Sequence, residues 1–197
     1  MEIATRRGMR QTARVEVPEA HLEPTEHGLV SKDEGWFVLN ATECRWRNRG
    51  GRGMYCDFEG DSDFPQLGIN LQVLQPGDVM SMYHWEADQE DFLVVAGEGL
   101  LVIEGEERPL GQWDFVHCPA GASHVIVGAG DGPLVVVAVG ARVFSTSGPD
   151  WGAYPVDEAA SRHGAGVEQD TNDPEIAYAR FPKSEMTRYR AGLLPGN

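Results

Sequence analysis

Between residues 68 and 145, short runs rich in Val, Leu, Ile and Phe recur every 8–12 residues. The runs are Ile69–Leu74, Ser81–Glu86, Phe92–Ala96, Leu100–Ile103, Phe115–Cys118, Val125–Val127 and Leu134–Val139. Gly-rich breaks separate them, among them Pro76-Gly77, Gly97-Glu98-Gly99, Pro119-Ala120-Gly121 and Gly128–Pro133. Runs this short fit strands, and turns at this spacing close antiparallel hairpins. The region is expected to be an antiparallel sandwich or barrel. No long amphipathic pattern interrupts it, which disfavours alternating strands and helices.

The flanks differ. Residues 1–34 are polar and broken by Pro18, Pro24 and Gly28, and read as an arm with one short strand, Ala13–Val17. Strand-like runs follow at Trp36–Asn40 and Thr42–Asn48. After Gly148 the apolar density falls; Val156–His163 and Glu175–Arg180 are expected to be short helices. The predicted organisation is an arm over 1–34, an all-β domain over 35–147 and a helical or irregular extension over 148–197.

Composition limits function. The chain has 31 acidic and 16 basic residues, a formal charge of −15. Such a surface repels phosphate backbones and anionic headgroups, so neither nucleic acid nor a membrane is an expected partner. The longest apolar run, Leu134–Val139, is far short of a spanning helix. The opening Met1–Arg7 lacks the apolar stretch of a secretory leader. Cys44, Cys56 and Cys118 are odd in number and form no CxxC pair, so buried free thiols and a cytoplasmic location are expected.

The chemistry concentrates in Tyr83-His84-Trp85-Glu86-Ala87-Asp88-Gln89-Glu90-Asp91-Phe92. On an extended strand His84 and Glu86 share a face and Trp85 takes the other. Glu90 opens the next run, and His124 leads into Val125-Ile126-Val127. Two imidazoles and two carboxylates from separate strands are a fitting donor set for a divalent metal.

These residues resemble the two motifs of the cupin superfamily. The first motif is a glycine, a spacer, His-x-His, a short spacer, Glu, six residues and Gly. Here Gly77, His84-x-Glu86, Glu90 and Gly97 follow that order, with six residues between Glu90 and Gly97. The second motif is matched by Pro119-x-Gly121 and His124, except that Trp113 stands where the family has glycine. The resemblance covers residues 68–145. It implies a single jelly-roll β-barrel with arm strands at the N-terminus. It also implies one divalent ion held by His84, Glu86, Glu90 and His124: iron, manganese or zinc, with nickel a further candidate.

Glu86 is the departure, because cupins usually carry their second histidine there. Three imidazoles and one carboxylate leave a divalent site at +1, whereas two and two leave it neutral. A neutral site is a weaker Lewis acid and attracts anions less. Asp91 is a rival to Glu90, but the six-residue spacing to Gly97 favours Glu90. A barrel that has lost its metal is the competing view. Against it, two facing carboxylates repel unless a proton or cation lies between them.

The resemblance implies a small-molecule substrate or ligand. It leaves open a dioxygenase, an isomerase, a lyase, or a non-enzymatic metal-dependent binding or sensing module. It also implies a homodimer formed by exchange of arm strands. Arg45, Arg47 and Arg49 alternate along one strand face, with Arg52 beyond. They are candidates to hold a carboxylate or phosphate, although pairing with acids at the surface or a dimer interface is the favoured expectation. Met80 and Met82, in step with His84, are candidate pocket wall or core, and His117 is a candidate pocket residue. His21, His27 and His163 receive no role.

Overall fold

The computed structural model describes residues 16–61, 63–144 and 151–196. Its strands, in chain order, are β1 (Leu22–Thr25), β2 (Gly28–Ser31), β3 (Trp46–Asn48), β4 (Met54–Cys56), β5 (Leu67–Leu74), β6 (Trp85–Glu86) and β7 (Glu90–Ala96). They continue as β8 (Glu98–Ile103), β9 (Glu106–Leu110), β10 (Phe115–Cys118), β11 (His124–Ala129), β12 (Leu134–Ala141), β13 (Gly152–Ala153) and β14 (Glu185–Thr187). Two short helices, α1 (Glu158–Arg162) and α2 (Pro174–Ala177), lie between β13 and β14. The all-β class expected from the recurring runs is the class observed.

Two antiparallel sheets enclose one core. The larger has the order β10-β7-β12-β5-β4-β3-β14 and the smaller β11-β8-β9. Leu74, Phe92, Val94, Val116, Leu134 and Val136 of the first pack against Leu101, Leu110 and Ile126 of the second. These residues alternate along their strands, as one buried sheet face requires. Among the described residues the ladders do not close into a continuous barrel. Instead, single bridges, Val79 to Val127 and His84 to His124, stitch the β5–β6 connection to β11.

The glycine at the end of the first motif has a steric reason. Gly97 joins β7 to β8 at φ +79°, and a Cβ there would lie 2.3 Å from the Pro133 carbonyl oxygen. Only glycine takes that conformation at that distance. The second motif departs at Trp113, yet the backbone is unchanged: Trp113 sits at φ +74° and its N–H donates to Val94 O at 2.8 Å. The turn has a left-handed backbone at a residue ill-suited to it.

The flanks depart from expectation. Residues 13–15 of the strand expected over Ala13–Val17 lie outside the described residues, and Glu16 and Val17 are not in a strand. Of the runs Trp36–Asn40 and Thr42–Asn48, only Trp46–Asn48 forms a strand. β1 and β2 form a hairpin, and β14, from the predicted extension, pairs with β3. α1 and α2 fall inside or beside the two predicted helical stretches. Asp157 caps α1 through Ala160 N, and Asp173 caps α2 through Glu175 N, each replacing a hydrogen bond the first turn lacks.

Candidate metal centre

The site sits where the polar end of the larger sheet's core face meets the bridge to β11. Along β7, Glu90, Phe92 and Val94 share one face, so the face that builds the core also carries Glu90 into it. His124 opens β11, with Ile126 next on its face. His84 precedes β6 and is pinned to His124 by two backbone hydrogen bonds, N–H to O at 3.2 and 2.8 Å.

Both imidazoles are oriented from behind. His84 Nδ1 lies 2.8 Å from Met82 O, and His124 Nδ1 lies 3.0 Å from Ala122 O. A ring nitrogen facing a carbonyl must donate, so each Nδ1 carries the hydrogen and each Nε2 is free to act as a ligand. Such a carbonyl partner is what holds a metal-ligating histidine in place. The two Nε2 atoms converge on Glu90 Oε2, at 3.6 Å from His84 and 3.2 Å from His124. Ligands about 2.1 Å from one ion stand about 3.0 to 3.4 Å apart, so these separations suit a shared ion.

Glu90 Oε2 and His124 Nε2 are buried and, despite their separation, are not aligned as a hydrogen bond; neither has such a partner among the described residues. Buried polar atoms are rarely left in that state. Two orphaned donor atoms aimed at one point, beside a third from His84, fit a cation. His84, Glu90 and His124 form a group of potential ligands within 4.8 Å of one another.

Glu86 stands beside this trio. Its Oε1 is 3.5 Å from His84 Nε2, on the face expected from the alternation, but it is not within the three-residue cluster. Asp91 faces away, with Oδ1 2.7 Å from His117 Nδ1 on the exposed side of β10. Glu90, and not Asp91, is the carboxylate that faces the two histidines, and His117 lies on the exposed side. Met80 joins the main core, whereas Met82 packs with Tyr154 beside the site.

Charge in the trio is strongly coupled. Burial works against a charged His124, but the Cys118 thiol and the Glu90 carboxylate outweigh it and lift its pKa to about 9. Burial likewise opposes charge on His84, and Glu86 and Glu90 raise it well above the ordinary histidine value. Burial would raise Glu90, but the two histidines bring it down to about 2. Without an ion, protons on the histidines neutralise the carboxylate; with one, the ion takes their place.

The C-terminal residues supply a wall that motif spacing did not reveal. Trp151 and Tyr154 lie 6.4 and 5.9 Å from the His84 ring, centroid to centroid. Tyr178 packs edge-on to Tyr154 and accepts a hydrogen bond from Met82 N. The signal was present as aromatic density, Trp151, Tyr154, Tyr178 and Phe181, within an otherwise polar stretch.

A carboxylate–bis-imidazole centre at one end of a two-sheet core defines the class of protein. Residues 70–140 match the cupin domain family. The chain is similar to several solved structures over part of its length. A protein from Acidithiobacillus ferrooxidans, described as a candidate sugar phosphate isomerase, is 32% identical over 40% of this chain and 51% of its own, with a TM-score of 0.38. The DMSP lyase DddQ from Ruegeria pomeroyi is 24% identical over 43% of this chain and 42% of its own, with a TM-score of 0.38. KdgF from Halomonas sp. is 21% identical over 49% of this chain and 87% of its own, with a TM-score of 0.42. The chain thus spans about half the length of the first of these structures. No curated protein sequence matches it. No helix among the described residues is long and apolar enough to cross a membrane.

Proposed function

We propose that the protein binds one divalent ion through His84, Glu90 and His124, with Glu86 as a fourth ligand, and acts there on a small polar metabolite. The observation that carries this is the pair of orphaned atoms, Glu90 Oε2 and His124 Nε2, converging with His84 Nε2. Iron, manganese and zinc suit a mixed imidazole–carboxylate set, and nickel is a further candidate. Such an ion supplies a Lewis acid that polarises a substrate oxygen. The chain's own residues do the rest. Carbonyls of Met82 and Ala122 hold the rings, and Trp151 and Tyr154 keep water from one side of His84. Burial beside Tyr178 raises the Tyr154 pKa, so its hydroxyl stays a hydrogen-bond donor. The alternative role for Glu86, partly exposed and beside His84, is to accept a proton from a bound molecule in place of ligation.

The reaction classes proposed are dioxygenase, isomerase or lyase. The second reading is a cytoplasmic binding or sensing module, favoured by the neutrality of a two-imidazole, two-carboxylate site. A homodimer belongs to the same proposal: Trp36 and Val38 remain 52% and 84% exposed, and light scattering reads the mass directly.

Calorimetric metal titration tests the site. His84→Ala, Glu90→Gln and His124→Ala should each abolish or severely weaken stoichiometric binding. Glu86→Ala should weaken it and Glu86→His should strengthen binding of nickel and copper, since imidazole suits those ions. Full affinity in both Glu86 variants would remove Glu86 from the ligands. Lost turnover in those same variants would make it a base. Full affinity in the Glu90 variant would overturn the site.

A further inference from the structure

The row Arg47, Tyr55, Gln72, Val136 runs straight across β3, β4, β5 and β12. Val136 belongs to the core, so this row lies on the face that also carries Glu90. Two residues beyond Arg47 in the alternation is Arg49. Its guanidinium donates to Gln72 Oε1 and lies over the Tyr55 ring, Cζ 4.8 Å from the centroid. Arg52 Cζ lies 4.4 Å over Tyr178 and 5.4 Å from the Phe181 ring. Tyr178 touches Tyr154, and Tyr154 touches His84, so two aromatic rings separate Arg52 from the proposed ligand.

In a chain of net charge −15, Arg49 and Arg52 have no carboxylate partner among the described residues. Their Nε atoms are buried and make no hydrogen bond there. Burial and the Arg52 charge push the Arg49 pKa down to about 10, as two adjacent cations without a counter-ion require. Other arginines find oxygen partners: Arg47, Arg142 and Arg162 face the carboxylates of Asp57, Glu59 and Glu107, and Arg45, Arg180 and Arg188 donate to backbone carbonyls. Two neighbouring guanidiniums with free donors are geared to a two-oxygen anion. The proposed metal centre, with matched charges, does not itself draw an anion in.

We propose that Arg49 and Arg52 form an oxyanion subsite two aromatic rings from the metal centre, taking the carboxylate or phosphate group of an acidic substrate long enough for its other end to reach that centre. This deepens the function proposed above and rests on it for the second contact. The pair fixes one end of the molecule and supplies the attraction the neutral centre lacks. The substrate class is a small organic acid or phosphate ester, and not an uncharged polyol.

The test is calorimetric titration of the full chain with succinate and, separately, inorganic phosphate, each with and without one equivalent of zinc. Wild type, Arg49→Gln, Arg52→Gln and the exposed control Arg108→Gln are compared. Loss of a charge-assisted contact should weaken the bound anion about ten- to hundred-fold in Arg49→Gln and Arg52→Gln, with zinc affinity unchanged and the control unaffected. Arg52→Lys should recover part of the loss. Preference for succinate assigns a carboxylate, and preference for phosphate assigns a phosphate ester. Arg52 makes stacking contacts, so its variant carries the test if Arg49→Gln fails to fold. Arginine-dependent anion binding in a chain that binds no zinc would uphold the subsite and overturn the metal reading. Equal anion affinity in wild type and Arg52→Gln, or no saturable binding of either anion by wild type, would overturn the subsite.

Discussion

His84 and His124 are hydrogen-bonded to each other through both backbone amides, which sets their rings 5.0 Å apart, centroid to centroid, with Glu90 between their Nε2 atoms. Two histidines far apart in sequence are thus fixed by main chain rather than by the ion. The site is preformed, and an ion entering it meets protons instead of disorder.

Metal binding should therefore be linked to proton release. His124, lifted to about 9, and His84, raised well above its ordinary value, are both protonated at neutral pH in the metal-free protein. Ligation needs them neutral. Apparent affinity should climb as pH rises towards about 9, and close to two protons should leave per ion bound at pH 7. Calorimetry in buffers of different ionisation enthalpy measures this number. With ordinary histidines, occupancy would instead fall only between about pH 6 and 4. Affinity that is level from pH 7 to 9 would contradict the coupling.

The metal-free protein should have its own pH signature. A histidine raised to about 9 contributes stability below its unfolded value near 6.5 and loses it as pH climbs to about 9. Glu90, lowered to about 2, contributes above its unfolded value near 4.5 and loses it as pH falls. The trio therefore contributes fully between about pH 4.5 and 6.5. Thermal melts in chelator should show Tm declining from pH 6.5 to 9, and Glu90→Gln should flatten that decline.

Trp113 is a second place to look. A non-glycine residue at φ +74° costs about 1 kcal/mol or more. Its side chain is 67% exposed, so little packing offsets the cost. Trp113→Gly should raise stability by about 1 kcal/mol in urea denaturation, despite the added freedom of the unfolded chain. Clear destabilisation would mean that the indole has a partner.

Arg142 and Glu59 form a partly buried two-pronged pair, Nη1 to Oε1 at 2.6 Å and Nη2 to Oε2 at 3.2 Å. Arg142 Nη1 also donates to Phe64 O, so the pair ties the 59–64 loop to the end of β12. Glu59→Gln should cost about 1 kcal/mol, because solvent reaches the guanidinium and the Phe64 carbonyl still accepts from it. Replacing both partners with apolar residues of similar volume should cost less than either single change, which a double-mutant cycle reports.

Some of this was legible in residue order. The alternating runs Phe115–Cys118 and Ile69–Leu74 became strands with one face to bury, and the unbroken apolar run Leu134–Val139 became the central strand β12, flanked by β5 and β7. β9, Glu-Glu-Arg-Pro-Leu, escaped because an edge strand needs no apolar period and tolerates proline. Ser81–Glu86 looked like one strand, but only Trp85–Glu86 forms one; His84 makes a single bridge to His124, and residues 81–83 are irregular. His84, Glu90 and His124 were visible because motif spacing is a local quantity. The wall of Trp151, Tyr154 and Tyr178 was not, since its place depends on how the C-terminal residues return to the site. The arginines were expected to be matched with acids; Arg47 is, whereas Arg49 and Arg52 are not.

β14 pairs with β3 through Glu185–Asn48, Met186–Arg47 and Thr187–Trp46. On a ribosome, the strand leading to the arginine pair emerges early and then waits for most of the chain before its outer edge is covered. Until then Trp46 and its neighbours present an open template on which another nascent chain can pair. Loop closure over that distance is slow. β14 thus covers the open row of backbone donors and acceptors along the outer edge of β3.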